Sequence, residues 1–209
     1  MTSLKVNSAN TTKKLILASQ SPRRRELLLQ LGYQFTVQVS DIDETVKKDE
    51  TAHEYVLRLA KQKAEHVQAL LPNVEKESSY VLGSDTCVVL NGKILGKPDS
   101  EEACISTLSL LSNNQHQVLT AIALASQNDT NGHVVSTEVT FKTLSEAEIK
   151  AYWLTGEPQD KAGSYGIQGI AGQFVKTITG RYSAVVGLPL YETAQLLTSV
   201  GLIGAINTK

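Results

Sequence analysis

The sequence predicts a mixed α/β fold, and three observations predict it. An apolar run at 15–19 passes through Ser21-Pro22 into the helical pattern RRRELLLQL and stops at Gly32, which is a strand, loop and helix unit. Residues 80–90 and 93–96 flank Asn91-Gly92, whose tolerance of positive φ suits a type I′ hairpin turn. Two long strand-like segments, 117–126 and 134–144, are joined by the polar residues 128–132. Alternating helices and strands argue for α/β architecture, while the hairpin and the paired strands require antiparallel neighbours. The sheet is therefore expected to be mixed rather than doubly wound.

Each element has its own signals. Ser21 suits an N-cap, Pro22 the first helical position and Gly32 the left-handed residue past the helix end. Residues 33–42 read as a strand, followed by an exposed polar loop at 43–50. Thr51 and Glu54 form a capping box that opens a helix running to Leu71, where Pro72 stops it; its apolar stripe is Val56, Leu59, Ala60, Ala64, Val67, Leu70 and Leu71. Residues 101–111 read as a helix. Ser145 and Glu148 form a second capping box, whose helix ends at Thr155-Gly156. Residues 162–172 are a glycine-dense loop, 174–186 resume strand character, and a helix over 189–200 ends at Gly201. Residues 1–14 read as a polar N-terminal extension, and the rest of the chain fits one large domain or two small lobes.

With 209 residues the chain can bury a core without disulfide or metal staples. Its 41% hydrophobic and 20% charged content is ordinary for a globular protein. No apolar run reaches the roughly 18 residues of a membrane span. The polar start lacks the apolar core of a secretory leader, so a cytoplasmic setting is expected. Cys87 and Cys104 read as buried thiols. A net charge of −1 and a pI near 6.4 exclude a surface built throughout for nucleic acid, so an anion site has to be local.

Three placements call for a chemical explanation. The positive end of the first helix dipole should prefer acidic neighbours, yet it carries Arg23, Arg24 and Arg25. With Ser19 and Ser21 these residues form either a polyphosphate cradle or a solvated basic helix start. Lys63 falls in line with the apolar stripe of its helix, where it either snorkels from the core edge or delivers an ammonium into a cleft. Asp85 interrupts the strand run VLGSDTCVVL, where an ionised carboxylate costs several kcal/mol unless a cation or hydrogen bonds compensate it. It is either catalytic or metal-binding, or a structural Asp held by backbone N–H groups. Asp41, Asp43 and Glu44 cluster where oxygen ligands for Mg²⁺ could gather, although loops are often acidic. The hairpin should swing Lys97 back toward the strand that carries Asp85. The four histidines show no metal-ligand spacing. The glycine-dense loop lacks both the Walker lysine spacing and the dinucleotide fingerprint, and its Gln168 carries a donor and an acceptor able to read a nucleobase.

The segments ASQSPRRREL, DIDE at 41–44, LAKQKA at 59–64, LGSDTCVVLNGKILGKP at 82–98, GEPQDKAGSYGIQG at 156–169 and VVGLPLYET at 185–193 resemble, in family order, the Maf family of nucleotide pyrophosphatases. The resemblance implies that 15–205 form a single two-lobed α/β domain, an elongated mixed sheet flanked by helices similar to inosine triphosphate pyrophosphatases, with a central active-site cleft. It implies a hydrolase that cleaves a nucleoside triphosphate between the α- and β-phosphates, using a divalent cation, Mg²⁺ or Mn²⁺. Asp85 then looks like the general base. Ser19, Arg23, Arg24, Lys63 and Lys97 look like phosphate contacts, and Glu44 like a carboxylate sharing the metal with Asp85 or orienting water. Thr86 beside Asp85, with Arg23 and Gln168, resembles the branch that prefers dTTP and UTP. The implied partner is the nucleotide itself, with neither nucleic acid nor membrane expected and a homodimer allowed. A non-catalytic, nucleotide-sensing inhibitor of septum formation is the alternative. The residues LSNNQH at 111–116 depart from the Ser-Gly pattern usual in the family.

Overall fold

The computed structural model describes residues 13–206. Its strands are β1 (Lys14–Ala18), β2 (Thr36–Val37), β3 (Ser79–Leu90), β4 (Lys93–Leu95), β5 (Gln115–Ala125), β6 (Thr130–Phe141) and β7 (Val175–Thr179). Its helices are α1 (Pro22–Gln30), α2 (Ala52–Leu70), α3 (Asn73–Lys76), α4 (Glu101–Leu111), α5 (Glu146–Trp153), α6 (Tyr182–Val186) and α7 (Leu190–Ser199). The strands form a seven-stranded sheet in the order β2-β1-β3-β5-β6-β7, with β4 added to β3. The β2, β1 and β3 pairs are parallel, and those of β3 through β7 are antiparallel, so the sheet is mixed as expected.

Local chemistry sets the element ends. Ser21 caps α1 by accepting from the Arg24 N–H, and both expected capping boxes, Thr51 with Glu54 and Ser145 with Glu148, are formed. Asn91 (φ 51°) and Gly92 (φ 78°) make the tight turn between β3 and β4. Several boundaries differ from expectation. The strand expected over 33–42 shrinks to two residues because its partner β1 ends at Ala18; Gln38 N–H to Leu17 O is the last bond between them. β6 starts at Thr130 rather than 134, because the hairpin turns tightly where Ser126 N–H bonds Asp129 O, and the polar residues after it lie along the strand's exposed end. The strand expected over 174–186 stops at Thr179, since Gly180 takes φ 129° and the chain then coils into α6. Leu70, expected on the buried stripe of α2, is exposed. Of the expected polar extension, residues 1–12 lie outside the described residues, and Lys14 already pairs with Ser79 in the sheet.

The two faces of the sheet are covered differently. On one, Val81, Cys87 and Val89 of β3, with β1 and β5 neighbours, pack against the Val56, Ala60, Ala64 and Val67 stripe of α2. The other face carries two cores. Leu15, Leu17 and Leu82 pack with Leu27, Leu28 and Leu197 of α1 and α7, while Val88, Leu90 and Val118 pack with Leu108 and Ile149 of α4 and α5. Between these two cores lies a polar band of Ser84, Thr86 and Thr120, with Thr86 directly opposite Thr120 in the register.

Close approach of α2 to β3 depends on small residues. A Cβ on Gly83 would lie 2.2 Å from Ala60 O and 2.9 Å from Ala64 N, so only glycine lets the helix backbone sit this low over the strand. The same approach brings Lys63, one residue before Ala64, over β3. Gly83→Ala is expected to lower the unfolding free energy by about 1–3 kcal/mol through overpacking, measured by urea denaturation. An unchanged midpoint would show that α2 does not press on the strand.

Candidate active site

The cleft is a break in the ladder. Along one edge of β3, β1 pairs up to Ala18 opposite Gly83, and β4 pairs from the other direction up to Leu95 opposite Val88. Two strand ends therefore meet head to head, and residues 84–87 of β3 have no ladder partner on that edge. The chain leaves β1 through Ser19 and Ser21 into α1, and leaves β4 through Gly96 and Lys97. A cavity of about 900 Å³ opens at the break, within the range typical of small-molecule sites. All nine residues to which the family resemblance gives a role line it: Ser19, Arg23, Arg24, Glu44, Lys63, Asp85, Thr86, Lys97 and Gln168.

Asp85 and Lys63 face each other from β3 and α2. Lys63 Nζ donates to Asp85 Oδ1 at 2.7 Å, both side chains being about 10% exposed, and the same Nζ lies 2.7 Å from Glu44 Oε1. One ammonium thus joins two carboxylates. Burial raises the Asp85 pKa above its ordinary 3.8, opposed by the positive charges of Lys63 and Arg24. Burial and Asp85 also push the neighbouring Cys87 thiol up to about 12, so it stays protonated and inert. Cys87 and Cys104 are buried free thiols, as expected.

Glu44 reaches Lys63 because its loop is clamped. Arg58 on α2, which the sequence pattern places on the solvent side of the stripe, binds Glu50 through two hydrogen bonds, Nε to Oε1 at 2.6 Å and NH2 to Oε2 at 2.8 Å. Its NH2 also donates to Thr45 O, and the Tyr55 hydroxyl donates to Glu44 O. The Arg58 contact holds the Glu50 pKa down at about 2. Asp41 and Asp43 do not join the cluster: neither lines the cavity, and Asp43 Oδ1 accepts from the Thr45 N–H in its own loop.

Arg24 reaches the break from the opposite face of the sheet. Its Nε donates to Gly187 O at 2.9 Å, NH1 to Ser19 Oγ at 3.5 Å and NH2 to Thr86 Oγ1 at 3.2 Å. Thr120 donates to Ala184 O at 2.7 Å and lies 3.1 Å from Thr86 Oγ1. The order of protons follows: Arg24 donates to Thr86, Thr86 to Thr120, and Thr120 to Ala184 O. Thr86 lines the cavity, but its proton is committed to Thr120, so its clearest task is to hold Arg24. Gly187 O accepts a second bond from Ser84 Oγ at 3.0 Å. Burial lowers the Arg24 pKa from 12.5, opposed by Asp85. Arg23 forms no hydrogen bond or ion pair among the described residues and lines the cavity half-buried, while Arg25 is exposed.

The third wall carries the exposed side chains of Lys97 and Gln168. It is tied to the end of β4 by the bond from Gly163 N–H to Gly96 O at 3.0 Å. Lys161, paired with Asp160, and Glu157 line the same wall. Sequence reading missed Gly187, Thr120, Arg58, Glu157 and Lys161. The visible signals were a non-terminal glycine next to Leu188-Pro189 and a carboxylate preceding the glycine-dense loop. Of the histidines, His116 is buried against Tyr165 (Nε2 to OH 2.8 Å), and burial depresses its pKa to about 4.

Fold and site together define an α/β protein with a charged cleft at a break in its central sheet edge. The chain belongs to the Maf family: the family described as Maf-like protein matches residues 14–200. A protein of Colwellia psychrerythraea named dTTP/UTP pyrophosphatase is 76% identical over 209 residues, covering 100% of this chain and 99% of that one. Proteins of the same name from Vibrio vulnificus (56% identical, covering 88% of this chain and 97% of that one) and Pseudoalteromonas translucida (55%, covering 89% and 96%) are similar. Among solved structures the Staphylococcus aureus Ham1 protein aligns at 15% identity with a TM-score of 0.38, covering 62% of this chain and 72% of that one. That is too slight a likeness to carry an argument. No helix among the described residues is long and apolar enough to cross a membrane.

Lys63→Met tests the balance of charge. The folded-state pKa of Asp85 is raised, so the native protein favours the protonated form and stability falls as pH rises from the unfolded-state value toward the folded one. Removing Lys63 should raise the folded-state value further and extend that fall to higher pH. The variant is expected to lose about 3–5 kcal/mol at pH 8, and much less below the ordinary carboxylate range, in urea titrations at both pH values. An equal loss at both would remove Asp85 ionisation from the account.

Proposed function

We propose that this chain hydrolyses dTTP and UTP to the nucleoside monophosphate and pyrophosphate. The observation that carries the reading is a buried carboxylate of raised basicity, Asp85, bracketed by Lys63 and Arg24 within an anion-sized cleft. Family membership and the names of the three relatives support the same activity and the same pyrimidine substrates.

In this mechanism Ser19, Arg23, Arg24, Lys63 and Lys97 hold the polyphosphate, with the α1 N-terminus contributing its dipole. Asp85 Oδ1 is taken by Lys63, and Oδ2 accepts no hydrogen bond among the described residues. Oδ2 removes a proton from water as that water's oxygen bonds to the α-phosphorus. The bond from the α-phosphorus to the bridging oxygen breaks, pyrophosphate leaves with the electron pair, and Asp85 returns its proton to solvent. A positioned base supplies about 10² to 10⁴ in rate, so most of the acceleration comes from charge neutralisation. Arg24 suits that task because its protein acceptors already fix its orientation, leaving little to reorganise in the transition state.

The donor set fits Mg²⁺ or Mn²⁺. Asp85 and Glu44 place two hard oxygens around one cationic centre, and Mg²⁺ is commonly held by one or two carboxylates with phosphate and water completing its shell. No group of three or more His, Cys, Asp and Glu side chains able to hold a metal occurs among the described residues, so substrate oxygens are needed to complete the set. A bound ion supplies neutralisation of the phosphate charge. Thr86, through Arg24, and Gln168 at the rim serve substrate choice in this reading. A cytoplasmic setting is part of it, supported by the two free thiols.

Asp85→Asn is expected to lower pyrophosphate release from dTTP and UTP by at least roughly 10² while the fold stays intact by circular dichroism. Near-normal turnover would remove Asp85 as the base. Tight dTTP binding by the unaltered protein, with no product under Mg²⁺ or Mn²⁺, would favour the nucleotide-sensing alternative.

A further inference from the structure

The wall that carries Gln168 is built on a carboxylate. Glu157 Oε2 accepts from the Ile170 N–H at 2.8 Å, and Oε1 accepts from the Ala171 N–H at 3.3 Å and the Tyr152 hydroxyl at 2.8 Å. The Tyr152 oxygen in turn accepts from the Gly166 N–H at 3.2 Å. Both ends of segment 166–171 are thus fixed to one Tyr-Glu pair, and Gln168 lies between them in a turn closed by Gly169 N–H to Gly166 O at 3.0 Å. A Cβ on Gly169 would lie 2.3 Å from Glu157 Oε2, so the loop folds directly against the carboxylate. Tyr152 is itself immobilised, buried on α5 with its ring edge-on to Phe174 at 5.2 Å. Glu157 forms no ion pair among the described residues, although Lys97 and Lys161 line the same cavity, so its charge is spent on backbone N–H groups.

Such rigidity has a use. Uracil and thymine offer a carbonyl acceptor beside a ring N–H donor, and hypoxanthine and guanine offer the same pair. A glutamine amide satisfies either ring by rotating. Hydrogen-bond pattern therefore cannot separate these pyrimidines from these purines, whereas a fixed distance between the amide and the phosphate-holding side chains can. We propose that Glu157 and Tyr152 are positioning residues for base selection, holding Gln168 at the distance that fits a pyrimidine ring and excludes the larger purine. The proposal rests on Gln168 as the base-facing side chain.

The test is calorimetric binding of α,β-methylene UTP, α,β-methylene ITP and pyrophosphate to the full chain, using Glu157→Gln, Tyr152→Phe, Gln168→Ala and the double variants with Gln168→Ala. Tyr152→Phe preserves volume, which keeps the test available should Glu157→Gln fail to fold. The expected result is a preference for the UTP analogue in the unaltered protein that falls roughly tenfold in each positioning variant, with pyrophosphate affinity changed by less than about twofold. Adding either change to Gln168→Ala should produce no further fall, because all act through one side chain. Three results would overturn the proposal: no preference in the unaltered protein, a preference retained in both positioning variants, or effects that add to Gln168→Ala. Absence of pyrophosphate release from UTP by the unaltered protein would defeat the hydrolase reading alone, since these binding ratios do not depend on cleavage.

Discussion

A negative charge placed inside the central strand of a sheet is the constraint on which this structure turns. Asp85 is 7% exposed, and an ionised carboxylate at that depth has to be compensated. Lys63 provides the nearest compensation at 2.7 Å, and it reaches that position only because α2 rides low over Gly83 on the small side chains of Ala60 and Ala64. The packing of the sheet's α2 face is thus part of the electrostatics of the site. The same ammonium draws in Glu44, whose loop is secured to α2 by Arg58 and Tyr55. One ion pair in β3 thereby organises a helix, a loop and one wall of the cleft.

Adjacent residues of a strand point to opposite faces, and the site uses both. Asp85 meets Lys63 from α2 on one side, while Thr86 meets Arg24 from α1 on the other. What lets two faces serve one cavity is the interruption of the ladder between Ala18 and Leu95, where β1 and β4 stop short of each other along β3. A continuous neighbour strand would seal that edge. The polar band of Ser84, Thr86 and Thr120 separates the two cores on the α1 face and is satisfied by the carbonyls of Gly187 and Ala184, so the line between those cores passes through the site.

Much of this was legible in the sequence, because its signals are local. Capping boxes, the Asn-Gly turn, the Ser21-Pro22 helix start and the placements of Lys63 and Asp85 each depend on residues within a few positions of one another. What failed depended on distant neighbours. Residues 33–42 have strand character, but β1 ends before it can pair them. Arg58 lies off the apolar stripe and reads as solvent-facing until the loop carrying Glu50 folds over it. Gly187 became a double acceptor, and Glu157 the template of a loop, only through contacts that span many residues of chain. Asp41 and Asp43 show the opposite error, since proximity in sequence to Glu44 did not bring them into the cavity.

The central claim is that burial raises Asp85 and so makes it the base. Carboxyl ¹³C NMR titration of the free protein, with Asp85→Asn used to assign the signal, measures this directly and can be set beside the acid limb of kcat/KM for dTTP. The account predicts that Asp85 titrates above 3.8 and that the acid limb follows the same value. Titration at or below 3.8, or an acid limb that follows a different group, would contradict it.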